Sequence, residues 1–202
     1  MSALQPLRMS FSRWNRARKA RFALDFIRRH DLRSVLLVGV AQAAGHYATE
    51  NHVERVIADS GAYVVASGLH QIDDTWSEYQ QCDALALPFR DDEFDLVYSN
   101  AVIEHVGRQA EQAKYVSEHS RVGRAWIITT PNRLFPIESH TMTMFRHMSP
   151  AWSTPSVTRL LSPGDLKSLL PPGSRIKGSV LSPTLTAYAS PARLGKHQTR
   201  LQ

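Results

Sequence analysis

Short unbroken apolar runs alternate along the chain with longer stretches in which apolar residues recur every three or four positions. That is the pattern of strands buried on both faces alternating with helices. Residues 13–30 read as a helix with Trp14, Ala17, Phe22 and Ile27 among its apolar positions and arginines between them. Ser34-Val-Leu-Leu-Val-Gly39 follows as a first buried strand. Thr49 is placed to N-cap a second helix that carries Val53, Val56 and Ile57 on one face, with Gly61 just past its end. Residues 62–66 read as a second strand and residues 82–87 as a short third, stopped by Pro88. After the Asp91-Asp-Glu93 turn come a fourth strand over 94–99, a helix over 109–120, and a fifth strand over 125–130 ended by Pro131.

Beyond Pro131 the period loosens. Met142, Met144, Phe145, Met148 and Trp152 fall in no clear register and read as a core lid sooner than as a dedicated binding box. Ser162-Pro163 then opens a short helix by N-cap and first-turn proline, with Leu166, Leu169 and Leu170 facing inward and Pro171-Pro172 closing it. Residues 175–181 and 184–189 read as two strands around a turn at Ser182-Pro183, and the tail from Pro191 reads as disordered. Strand and helix in alternation, with short links, predict an α/β fold with a doubly wound, mostly parallel sheet ending in an antiparallel hairpin. The chain divides on this reading into a basic helical extension (1–33), one domain (34–190) and a tail (191–202).

Charge changes the picture only at the ends. The net charge is +6. Residues 1–33 hold nine Lys/Arg against Asp25 and Asp31, residues 34–141 hold seven against fifteen acids, and residues 142–202 hold eight against Asp165. An acidic middle between basic ends argues against a uniform nucleic-acid surface. A basic flank suits an anionic substrate, a lipid headgroup or RNA, or is simply a solvated helix face. The single cysteine, Cys82, excludes an intramolecular disulfide and suits a reducing compartment, with the cytoplasm as the default. No apolar run reaches the roughly 20 residues of a membrane span. No Cys, His and carboxylate cluster has metal-ligand spacing, and His46 and His52 read as surface residues.

Ligands of open α/β sheets bind outside the carboxyl ends of the strands. There the chain reads Asp83-Ala-Leu-Ala-Leu-Pro-Phe89, then Asp91-Asp-Glu-Phe-Asp-Leu-Val-Tyr-Ser-Asn-Ala-Val-Ile-Glu-His-Val106, and later Thr130-Pro-Asn-Arg-Leu-Phe-Pro-Ile-Glu-Ser-His-Thr141. Over residues 34–141 it closely resembles class I S-adenosylmethionine-dependent methyltransferases acting on small molecules. The resemblance implies a seven-stranded Rossmann-like sheet, S-adenosylmethionine as cofactor and a small-molecule acceptor. It assigns cofactor contacts to Gly39, Ala41, Gly45, Leu69, Asp83, Ala84 and Asn100. Asp83 matches the acceptor for the adenine amino group, and Asn100 the floor of the site below the methionine portion.

Two loops depart from the family pattern. The glycine-rich stretch usually reads Asp-x-Gly-x-Gly-x-Gly, so that backbone approaches the cofactor with no Cβ between. Here it reads Leu37-Val-Gly-Val-Ala-Gln-Ala43, with Gly39 kept, the acid become Leu37 and the next glycine become Ala41. After the second strand, where an acid normally accepts from both ribose hydroxyls, the chain offers Ser67, Gly68 and His70, with Asp73 and Asp74 farther on. His105 lies where a methyl acceptor would sit, placed to take or orient its proton or, equally, to bond a neighbouring loop. Glu138 and His140, on the loop after the fifth strand, are candidates for the substrate mouth, or ordinary loop residues. A fold that has lost the cofactor and serves as a binding partner is the alternative these departures raise.

Overall fold

The computed structural model describes residues 5–42, 51–73, 75–136 and 159–191. The chain runs α1 (Gln5–His30), β1 (Ser34–Val38), α2 (His52–Ala58), β2 (Tyr63–Gly68), β3 (Tyr79–Gln81), β4 (Phe94–Asn100), α3 (Gln109–Val122), β5 (Gly123–Pro131), α4 (Pro163–Leu169), β6 (Arg175–Lys177) and β7 (Thr184–Ala189). The seven strands lie in the order β3-β2-β1-β4-β5-β7-β6. The first five are parallel, and β7 enters antiparallel between β5 and β6. This is the expected doubly wound sheet with its terminal hairpin.

Successive residues of a strand face opposite ways, so β1 serves two cores at once. Leu36 and Val38 join Trp126, Ile128, Tyr115 and Leu166 on the face covered by α3 and α4. Val35 and Leu37 join Tyr98, Ile127, Val53 and Phe26 on the face covered by α1 and α2. Both faces exclude water, which is why unbroken apolar runs rather than alternating ones mark these strands.

Several boundaries differ from the sequence reading. Helix α1 begins at Gln5 rather than 13 and buries Ala20, Ala23, Phe26 and Ile27, while Trp14 and Ala17 face outward. The arginine-free stripe that reaches the sheet is thus offset from the one chosen by residue size. The third strand is Tyr79–Gln81, not residues 82–87. From Asp83 the backbone donors are satisfied locally, Leu85 N by Asp83 Oδ1 (2.8 Å) and Ala86 N by Asp83 O (2.9 Å), so no ladder extends. Thr49 lies outside the described residues; α2 starts at His52 after Asn51, whose φ of 57° places it in the left-handed region with no side-chain cap. The hairpin's first strand stops at Lys177, because Gly178 turns at φ 118° into a loop over 178–183. Ser162 caps α4 as expected, accepting from Asp165 N, and Leu166 and Leu169 are buried. Residues 142–152 and 192–202 lie outside the described part.

His119 offers a check on the α3 side of the core. It is fully buried; Nδ1 donates to Tyr115 O (2.9 Å), while Nε2 has no partner among the described residues. Burial pulls its pKa down to about 4, against the partial support of the Tyr115 carbonyl. The unfolded chain therefore binds a proton that the native state refuses between roughly pH 6.5 and 4. Stability is fully present above that window and is expected to fall by up to about 3 kcal/mol on crossing it. Urea unfolding of the protein and of His119→Leu across this range should show the fall in the former and a smaller one in the variant.

Candidate functional site

The parallel strands β1, β2 and β4 end along one edge, and the turns that leave them enclose a cavity of about 510 Å³. Its walls are drawn from residues 38–42 after β1, 67–72 after β2, 82–85 after β3, and Val102, His105 and Val106 after β4. Gly39 leaves β1 at φ 83°, and a Cβ there would stand 2.3 Å from Val102 Cγ2. Only glycine admits both that backbone and that contact. Gly68 makes the matching approach from β2, where a Cβ would stand 2.3 Å from Val40 O and 2.6 Å from the Tyr79 hydroxyl.

Within the cavity, polar groups are few. Asp83 is exposed and lines it, with Oδ1 accepting from Leu85 N and Oδ2 left without a bond among the described residues. Ala84, Leu85 and Ile72 contribute apolar lining. Leu69 stands 60% exposed in the loop after β2 and lines the same cavity. Cys82 also lines the space, and burial raises its thiol, which keeps it protonated and non-nucleophilic at neutral pH. His105 follows a turn in which its amide bonds Val102 O (2.9 Å). Its Nε2 lies 3.9 Å from Oε1 of the fully buried Glu104, whose Oε2 accepts from the Thr130 hydroxyl (3.0 Å). Glu104 thus anchors the β4 turn to β5 and backs the imidazole.

Of the residues expected at the site, Gly39, Ala41, Leu69, Asp83, Ala84 and His105 line this one cavity. Asn100 does not. Its Oδ1 accepts from Lys19 Nζ (2.6 Å) and the Thr129 hydroxyl (2.9 Å), on the α1 side of the strand end. Gly45, Glu138 and His140 lie outside the described residues.

Two groups on the α1–α2 side were missed by the sequence reading. Lys19 is drawn down to a pKa of about 8, first by burial, with Glu54 and Glu104 opposing. Glu54, on α2 and almost fully buried, has its carboxyl raised by burial, while Asn100 and Lys19 pull the other way. The clue was present: Lys19 lies four residues before Ala23 and Glu54 three before Ile57, each inside an inward-facing stripe. A charge in such a stripe needs a partner. The residue after Asn100, Ala101, holds φ 58° with its amide on Thr129 O (2.8 Å), so the turn out of β4 is fixed under strain beside this cluster.

Residues 36–125 match the family model described as a methyltransferase domain. That match spans a little under half of the chain. Solved structures agree in fold. The chain is similar to the CcbJ methyltransferase from Streptomyces caelestis, with a TM-score of 0.57 and 12% identity over 85% of this chain and 90% of that one. It is similar to a SAM-dependent methyltransferase from Archaeoglobus fulgidus, with a TM-score of 0.54 and 12% identity over 84% and 93%. It is also similar to magnesium protoporphyrin IX methyltransferase from Synechocystis, solved with bound SAH, with a TM-score of 0.51 and 13% identity over 86% and 83%. No curated protein matches the sequence.

The glycine turn after β1 is the most exacting part of this cavity edge. Gly39→Ala is expected to destabilise by about 2–4 kcal/mol, combining left-handed strain with the Val102 clash. Adding Val102→Ala should return the clash component and leave only the strain, read from a double-mutant cycle in chemical unfolding.

Proposed function

We propose that this chain transfers a methyl group from S-adenosylmethionine to a small-molecule acceptor at the cavity beyond β1, β2 and β4. The observation that carries the reading is the convergence of Gly39, Asp83, Ala84 and His105, far apart in sequence, on one cavity. The cofactor, when bound, supplies an electrophilic methyl on a sulfonium, and in-line transfer then depends mainly on orientation. Asp83 Oδ2 fits the adenine amino group, with Ala84, Leu85 and Ile72 as the apolar slot for the ring. The bare backbone at Gly39 lets Val102 pack over the turn, which shapes the cavity wall there. His105, held by the Val102 turn and backed by Glu104, is placed to accept or orient the acceptor's proton.

The ribose end fits less well. The described loop after β2 offers Ser67, Gly68, Leu69 and His70 but no carboxylate beside the strand end, and each absent charge-assisted bond costs about 1.5–3 kcal/mol, roughly tenfold to a hundredfold in affinity. Leu37 is fully buried in the α1–α2 core and holds no cation. These two positions support the second reading, a methyltransferase fold that has given up the cofactor and acts as a binding protein.

Calorimetric titration of S-adenosylmethionine and its demethylated product separates the two. On the first reading both bind, Asp83→Ala weakens them at least about tenfold, and Leu69→Asp strengthens them by about tenfold or more by restoring the missing acceptor. The leucine is exposed, so its replacement leaves the core intact. No heat with the folded protein and with Leu69→Asp would support the second reading.

A further inference from the structure

Large exposed apolar side chains are few among the described residues, and four of them gather at one end of the molecule. Phe11 and Trp14 project from the early turns of α1, and Val180 and Leu181 from the 178–183 loop, with Trp14 54% and Leu181 76% exposed. The two elements are tied together. Asn15 Nδ2 donates to Thr184 Oγ1 (2.8 Å) at the end of that loop. Phe11 stacks on Phe135 with centroids 6.1 Å apart, and Phe135 N bonds Asn132 O (3.0 Å). The Asn132 amide in turn donates to the carbonyls of Ser179, Val180 and Ser182 at 2.8–3.1 Å. A loop held by three bonds from one side chain keeps its valine and leucine in water by construction, and a folded chain exposes such groups where something covers them.

The surrounding charge says what does. No acid occurs before Asp25, while Arg13, Arg16, Arg18 and Arg21 follow one another along α1. The Arg18 guanidinium lies 5.1 Å from the Trp14 ring centroid, and Lys177 flanks the loop beside Phe22. Aromatic and aliphatic side chains ringed by cations match the boundary between anionic headgroups and acyl chains. Single-stranded RNA would need aromatic faces along a basic groove on which bases stack, whereas Val180 and Leu181 offer no π face.

We propose that this end of the molecule, the first turns of α1 with the 178–183 loop, is a docking surface for an anionic lipid bilayer. Docking there is peripheral: Trp14, Phe11 and Leu181 enter the headgroup boundary, and the arginines hold lipid phosphates. Because β5 ends and β7 begins beside this surface, it lies on the same edge of the sheet as the ligand cavity. The surface does not depend on methyl transfer, and its test uses neither cofactor nor acceptor.

The test is cosedimentation of the full chain with vesicles of phosphatidylcholine alone and of phosphatidylcholine with phosphatidylglycerol. The expected result is partition onto the anionic vesicles only, falling as salt is raised. Trp14→Ser with Leu181→Ser should reduce partition by about tenfold or more, the worth of large apolar side chains leaving water. Arg13→Glu should reduce it by about fivefold or more. Both changes lie on exposed positions, and unchanged circular dichroism and thermal unfolding confirm that each variant is folded. Partition onto neither vesicle, or partition indifferent to the folded variants, overturns the proposal. So does binding of a single-stranded RNA oligonucleotide that the same variants abolish while anionic vesicles are ignored.

Discussion

Two successive backbone amides, those of Gly39 and Val40, converge on the carbonyl of Ser67 at 2.9 and 2.8 Å, while the Ser67 hydroxyl donates to Leu37 O at 3.0 Å. Ser67 is fully buried, so these bonds meet no competition from water and an unmet group there would cost about 1–3 kcal/mol. They weld the turn after β1 to the end of β2. The approach is so close that neither Gly39 nor Gly68 has room for a Cβ. Everything at the ligand edge inherits its position from this weld: Val102 packs over Gly39, His105 follows Val102, and Cys82 N bonds Gly68 O (2.8 Å), which sets Asp83 in the cavity lining.

The opposite side of the same edge is held by charge rather than by backbone. Lys19 crosses from α1 to the end of β4 and meets Asn100, which also takes the Thr129 hydroxyl and influences Glu54 on α2. Burial disfavours both ions, lowering the lysine and raising the glutamate. An arrangement of this kind adds little net stability, because desolvation offsets most of the attraction. What it supplies is placement: α1, α2 and β4 can adopt only the register in which these groups meet. Asn100 is consequently occupied by its own protein and turned away from the cavity, which a motif alone does not reveal.

The strands were legible because burial on both faces leaves an unambiguous mark, and β1, β2, β4, β5 and β7 fall where apolar runs predict them. Helix α1 was legible as a helix but not in its rotation, since Trp14 and Phe22 outweigh Ala20 and Ala23 in any reading by size, yet small residues are what let a helix approach a sheet closely. The short β3 was missed because three residues carry no period, and the apolar run at 82–87 is a turn whose donors Asp83 and Glu118 satisfy. The Lys19–Asn100 contact spans 81 positions and has no local signature. Asp83, Ala84, Gly39 and His105 were found by motif, but their convergence on one cavity is a product of topology.

Leu37 stands where the resemblance expects an acid and Leu69 lies in the second departing loop, yet the two leucines are not equivalent. Leu37 points into the α1–α2 core, fully buried among Tyr98, Leu96 and Ile57, and gains the burial free energy of a large side chain, about 1.5–3 kcal/mol. Its replacement of an acid is a choice for stability. Leu69 belongs to neither core cluster and faces the cavity exposed, where it contributes almost nothing to folding. A leucine kept in water at a cavity wall earns nothing from the fold, so what it offers is apolar contact to whatever enters. The cavity thereby presents apolar surface at this end, with Asp83 elsewhere in its lining.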